Sequence, residues 1–486
     1  MTIPAVSPSL LRSLVNNTVR LTSGRILLAL LRFIATIVIV QRAGLEKFGE
    51  FALILSFVLI AEWLSDFGLT DIAVRQILAK KRSSDATMGA FAVSKLVQGA
   101  VACLFMWVAV SWFGHPAHMV QSALIAGGAV VLYCGVQIHR VGFRTRMLMG
   151  RDVGAELVSA VVFLAAIWIV TGTTTTLEAL TLCYVLSRAV NLVAAWMLAG
   201  RWPKLSFGRD FRAELAVLAA ACVPLGLTGL MVCAYDAMDA IALARWSTSA
   251  EVGVFTVAMR FLMLAVIAEQ ALSTAVFPLL AARWNRDRPA FAKTYQVVLD
   301  WGMVAGGALF CALYAGAREL GALARQDPQA IADVLQLLSW GILSRVVVTL
   351  LSPMVVVSGR LNYTVWITAL VVAAKWIALT VMAPGGALGA ATAYVVVEIG
   401  IGLIPTVILC QRAAGVRLNW SIPLRIVALA IAIAAATRLL DLDGSLLHAV
   451  CAVLAYFALA GLVGAIKMKS LSYFYRSLGR RHGGNV

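Results

Sequence analysis

Charge is scarce in this sequence. Asp, Glu, Lys and Arg make up 13% of its 486 residues, against about 25% in soluble domains. Hydrophobic residues reach 62%, so a soluble chain would have too little polar surface to cover itself. Metal-binding patterns are missing as well. The five histidines fall at predicted helix ends or in tails. The eight cysteines are scattered, and no C-x-x-C pair exists. That argues against a zinc site or a disulfide framework. No G-x-x-x-x-G-K-S/T loop is present, which excludes P-loop ATP hydrolysis. Asp441-Leu442-Asp443 has the form of a glycosyltransferase metal motif, but it falls in a short predicted loop and carries no metal expectation. The N-terminus lacks the compact apolar core and small-residue cleavage site of a secretory signal.

What the chain has instead is apolar runs of some 20 residues from end to end. About fourteen can be read, from 23–42 to 446–466. Each can span a bilayer as a helix, because backbone polar groups in lipid must be satisfied within the segment. Short alternating strands are absent, so a β-barrel is not expected. The expected class is an all-α polytopic membrane protein of about 14 transmembrane helices.

The net charge of +17 could suggest nucleic acid, but its placement does not. With the N-terminus in the cytoplasm, most Lys and Arg fall in alternate segments, such as Arg140, Arg144, Arg146 and Arg151. The opposite segments hold only Arg42, Lys47, Arg245, Arg318, Arg325 and Arg438. This positive-inside bias sets both termini in the cytoplasm. The basic excess reads as topology and contact with membrane lipids, with no nucleic-acid partner.

Six basic residues remain inside predicted spans: Arg32, Lys95, Arg188, Arg260, Arg345 and Lys375. A cation at mid-membrane costs on the order of 3 kcal/mol, so each should face protein or a water-filled cavity. Acids also fall in spans: Glu62, Asp66, Asp236, Asp239, Glu269, Asp300 and Glu398. Either the two sets neutralise each other in structural pairs, or surplus cations line a cavity for an anionic substrate. Arg25 and Arg32 are seven apart and share one helical face; Glu62 and Asp66, four apart, share another.

The organisation points to an internal repeat. Residues 44–57 resemble 248–261, with Gly49, Phe51 and Phe57 matching Gly253, Phe255 and Phe261 at an offset of 204. Residues 149–169 resemble 358–377, with Gly150-Arg151 matching Gly359-Arg360 at an offset of 209. The reading is two six-helix lobes, 1–199 and 214–411, joined by a cytoplasmic linker at 200–213. Such parallel repeats are related by an axis along the membrane normal, with substrate bound between them. Residues 412–486 would add two further helices and a basic tail. Adding 204 to Arg32 lands on Asp236, so these two would pair across the lobes in one state and part in another.

Residues 21–79 resemble the opening of the Wzx-type polysaccharide and O-antigen flippases, in the multidrug/oligosaccharidyl-lipid/polysaccharide exporter superfamily. The carrying features are Ser23-x-Arg25, Gly44, Gly49-x-Phe51 and Asp66-Phe67-Gly68-Leu69. EVGVFTVAMRF (251–261), Phe277-Pro278 and the Gly- and Ala-rich segment 384–398 continue the likeness. The resemblance implies a flippase, not an enzyme. It would move undecaprenyl-diphosphate-linked oligosaccharide from the cytoplasmic to the outer leaflet of the bacterial inner membrane, for O-antigen or exopolysaccharide assembly. It further implies two lobes in alternating access around a cationic cavity. Arg25, Arg32 and Arg260 fall where related flippases place cavity arginines. Lys95, Arg188, Arg345 and Lys375 join them as candidate substrate contacts. Glu62, Asp66, Asp236, Asp239, Glu269 and Glu398 are candidate coupling or lobe-pairing carboxylates. No cofactor is expected, although H+ or Na+ could couple transport. The protein would act as a monomer, with polysaccharide polymerase or glycosyltransferases as candidate partners. An ion-coupled drug or metabolite antiporter is the alternative, favoured if carboxylates dominate the site. A glycan polymerase or ligase is disfavoured by the short outside loops.

Overall fold

The computed structural model describes residues 8–79, 84–112, 114–200, 205–207, 211–284, 288–358, 361–439 and 446–466. Side chains at 8–22 and at scattered positions in later helices lie outside the description, Glu269 and Phe277-Pro278 among them. So do Arg360 and Asp441-Leu442-Asp443. The described chain is helical and contains no strand. It divides into two compact units, residues 1–253 and 254–486.

The first unit is built from α1 (Pro8–Asp66), α2 (Leu69–Leu78), α3 (Ser84–Trp112), α4 (Ala117–Thr145), α5 (Met149–Val170), α6 (Leu177–Ala199) and α7 (Phe211–Trp246). Helix α7 packs against α1, α2 and α3. The first compact unit therefore runs past the linker expected at 200–213 and takes in α7.

Helix α8 (Ser249–Trp284) begins just before the division. The second unit continues through α9 (Arg288–Ala315), α10 (Ala317–Ala322), α11 (Pro328–Val357) and α12 (Leu361–Met382). A 3-10 turn at Ala383–Gly385 leads to α13 (Gly386–Val397), and a π-helical turn at Glu398–Leu403 leads to α14 (Ile404–Ala414). Helices α15 (Ser421–Leu439) and α16 (Leu446–Leu462) follow, and both pack on α9.

Eleven segments among the described residues are long and apolar enough to cross a membrane. Two are of double length. Ser23–Leu78 has 56 residues and Val365–Arg412 has 48, where a single span needs about 20. The first is interrupted at Gly44, whose backbone (φ 90°, ψ 164°) is not helical. The second contains the turn at Ala383–Gly385. The expectation of fourteen crossings counts each of these twice and includes the shorter Leu447–Leu462. Large apolar side chains stand exposed along the outer faces, including Leu96, Val97, Leu104, Leu124 and Leu182. Such exposure suits lipid rather than water. Trp112, Trp168 and Trp196 are exposed near the ends of α3, α5 and α6, as membrane-interface tryptophans are.

The repeat-matched glycines meet. A Cβ on Gly49 would collide with the backbone of Ser249 and Gly253, and one on Gly253 with the backbone of Leu45. The two helix starts cross so closely that only glycine fits at either position.

Two apolar clusters frame α4. On one side Leu69, Ile72, Met88, Phe91, Val141 and Leu218 pack together from α2, α3, α4 and α7. On the other, Val136 and Phe143 of α4 pack with Ala155, Ala194, Ala195 and Ala199 of α5 and α6. The polar residues of α4 occupy the face left between them.

Candidate functional site: a charge-lined cavity in the first unit

Helix α1 ends at Asp66, and its chain turns through two residues with positive φ, Phe67 (43°) and Gly68 (75°), before α2 begins. Glycine takes the second at little cost. The corner delivers the Asp66 carboxylate to the start of α2. There Asp66 accepts the Thr70 amide (3.4 Å) and the Thr70 hydroxyl. A negative group is favoured at a helix N-terminus. Glu62 sits one turn earlier on the same face.

These two acids, with Asp71 of α2, line a cavity of about 430 Å³. Tyr133, Gln137, Arg140 and Arg144 of α4 form its facing wall. Their spacing of four, three and four residues sets them on one helical face. Trp63 and Thr228 contribute from α1 and α7.

Each acid on the wall has a basic partner. Lys95 of α3 lies 2.5 Å from Asp66 and also donates to the Ser65 carbonyl at 2.8 Å. Its ammonium stands 5.1 Å from the centre of the Phe91 ring. Arg188 of α6 lies 2.5 Å from Glu62 and donates to the Tyr184 hydroxyl, which itself donates to Glu62 at 3.2 Å. The Arg188 guanidinium is also 4.9 Å above the Tyr133 ring, within cation–π range. Arg144 lies 2.6 Å from Asp71. Arg140 is held by Asp152 at 3.0 Å and by Glu156 from α5, and donates to the Tyr133 hydroxyl at 3.1 Å. Every charged side chain on the cavity wall is therefore paired. Cations are not in surplus there.

Four of the residues expected from sequence come together here: Glu62 and Asp66 on the wall, Lys95 and Arg188 immediately behind it. The two cations were expected as substrate contacts, and the structure holds each against a carboxylate. Arg25, Arg32 and Arg260 are exposed and do not line this cavity, and Asp236 is exposed while Asp239 is buried. In the second unit Arg345 donates to the Tyr394 hydroxyl at 3.4 Å, and the buried Lys375 lies 5.3 Å over the same ring. Glu398, also buried, follows one turn after Tyr394 and opens the π-helical turn. Tyr133, Gln137, Arg140 and Arg144 escaped the sequence reading. By sequence the two arginines fall in a basic segment between spans, yet α4 extends to Thr145. Their shared face with Tyr133 and Gln137 was the available signal.

Over 94% of this chain and 99% of the other, the structure superposes on the lipid II flippase MurJ in an inward closed conformation, with TM-score 0.75 and 12% sequence identity. An inward-facing multidrug resistance MATE transporter of the MOP superfamily matches with TM-score 0.65 and 15% identity, over 80% of this chain and 96% of that one. A Vibrio cholerae MATE transporter matches with TM-score 0.55 and 15% identity, over 83% and 98%. No curated protein sequence matches. A family model described as "Polysaccharide biosynthesis protein" matches residues 14–284, more than half of the chain. A polytopic helical membrane protein with this fold and this match belongs to the polysaccharide biosynthesis protein family.

Proposed function

We propose that the protein is a flippase for undecaprenyl-diphosphate-linked oligosaccharide, moving it from the cytoplasmic to the outer leaflet of the bacterial inner membrane during cell-surface polysaccharide assembly. The family match over residues 14–284 carries this reading. The fold, shared with a lipid II flippase over nearly the whole chain, supports it. Both termini lie in the cytoplasm, and the monomer alternates between inward- and outward-open states.

Arg25, Arg32 and Arg260 meet the diphosphate. All three residues are exposed, and the arginine fork matches phosphate oxygens two at a time. Arg345 and Lys375 form a second basic pair around Tyr394. The polyprenyl tail stays in lipid, where transfer costs nothing, while the charged head needs a protein path.

A second reading is an ion-coupled drug or metabolite antiporter. The three carboxylates on the first unit's cavity wall favour it, as does the fold shared with MATE transporters. Deleting the gene separates the two. The flippase reading expects surface polysaccharide to disappear and lipid-linked glycan to collect on the cytoplasmic leaflet. Unchanged surface polysaccharide with increased drug sensitivity supports the antiporter instead.

A further inference from the structure

We propose that the cavity of the first unit is a subsite for an uncharged sugar ring, and that the Gln137 side-chain carbonyl accepts a hydrogen bond from it. The inference rests on the flippase reading and assigns the glycan, rather than the diphosphate, to this cavity.

Size comes first. A volume of about 430 Å³ lies in the range of small-molecule sites. Charge narrows the class. Glu62, Asp66, Asp71, Arg140 and Arg144 are each held by an oppositely charged side chain. An incoming phosphate would meet three carboxylates, and an incoming amine two guanidinium groups. Either ion would have to break a pair already made. A polyol carries donors and acceptors without net charge, so it can bond to the remaining lone pairs and N–H groups of both signs.

Gln137 supplies the second observation. The residue is 3% exposed and lines the cavity, yet among the described residues its Oε1, itself closed to solvent, has no hydrogen-bond partner. Leaving a buried acceptor unsatisfied is unfavourable. A small turn of the amide would bring that acceptor into the cavity, where a ligand hydroxyl would remove the cost. The wall also carries what a sugar's apolar face needs. Trp63 lines the cavity, its ring resting on Gly229, where a Cβ would collide with it. An aromatic ring beside buried polar groups suits a ligand with one apolar face and one polar edge. Thr228 also lines the cavity, and because its hydroxyl proton goes to the Pro224 carbonyl at 3.0 Å, it can meet a ligand only as an acceptor.

The test uses the purified full-length protein in lipid nanodiscs and saturation-transfer NMR, with glucose and N-acetylglucosamine as separate probes. Transfer to at least one sugar is expected. It should fall several-fold in Gln137→Met and in Thr228→Val, and should persist in a large excess of inorganic diphosphate. Gln137→Met should melt at the same temperature as the parent or higher, since the bare carbonyl is gone. A structural role for Gln137 would lower it. No transfer to either sugar, unchanged transfer in both variants, or displacement by diphosphate would overturn the inference. These outcomes are separable from failure of the flippase reading. That reading fails if a deletion strain keeps its surface polysaccharide, whatever the sugars do.

Discussion

Lys95 Nζ lies 2.5 Å from Asp66 Oδ1, the lysine side chain 1% exposed and the aspartate 17%. The pair ties α3 to the corner between α1 and α2. Removing one partner of a buried pair leaves an uncompensated charge and typically costs about 3–5 kcal/mol, whereas replacing both with apolar groups is often neutral. Lys95→Met alone should therefore lose most folded protein. Lys95→Met with Asp66→Leu should regain it, as read by thermal melting in detergent. Transport distinguishes the roles. A double mutant that folds but fails to restore surface polysaccharide assigns Asp66 to the cavity as well as to the pair.

Arg188 engages Glu62, Tyr184 and the Tyr133 ring together. A lysine keeps the charge but has no planar fork. Arg188→Lys should destabilise the first unit more than Tyr184→Phe, whose lost hydrogen bond is worth about 1 kcal/mol. Equal melting temperatures for the two variants would show that charge alone, and not the fork, holds this corner of the cavity.

Gly49 and Gly253 test the helix crossing. Added volume at either position meets backbone rather than a movable side chain, and overpacking of this kind costs about 1–3 kcal/mol or more. Gly49→Val and Gly253→Val should each reduce the yield of folded protein in the membrane, measured by gel filtration of a fluorescent fusion. Gly150, with nothing near its Cβ position, should accept alanine without loss.

Composition and periodicity reveal the helical membrane class because lipid demands apolar runs of fixed length. The helix end at Asp66-Phe67-Gly68 and the shared face of Glu62 and Asp66 are local, and local spacing is legible. Pairings across the chain are not. Glu62 finds Arg188, 126 residues away, and Asp66 finds Lys95 on a different helix. Helical spacing orders residues on one helix but cannot say which faces meet. Arg140 and Arg144 were masked by their position near a helix end, where basic residues usually mark the cytoplasmic side. Gln137 is uncharged, and beyond its place on the α4 face with Tyr133, Arg140 and Arg144 the sequence does not single it out; burial and an unpartnered acceptor do.

Arg32 and Asp236 carry the repeat argument. Both are exposed in the first unit. If they pair in one transport state, Arg32→Asp should abolish surface polysaccharide and Arg32→Asp with Asp236→Arg should restore part of it. A dead double mutant that reaches the membrane at normal levels would leave Arg32 with the substrate alone.

The central claim is flipping itself. Reconstitute the protein in liposomes carrying a fluorescent undecaprenyl-diphosphate oligosaccharide, and follow how fast the sugar passes out of reach of a membrane-impermeant periodate. The flippase account predicts protein-dependent transfer between leaflets, strongly slowed by Arg32→Gln. Transfer no faster than in protein-free vesicles would contradict it.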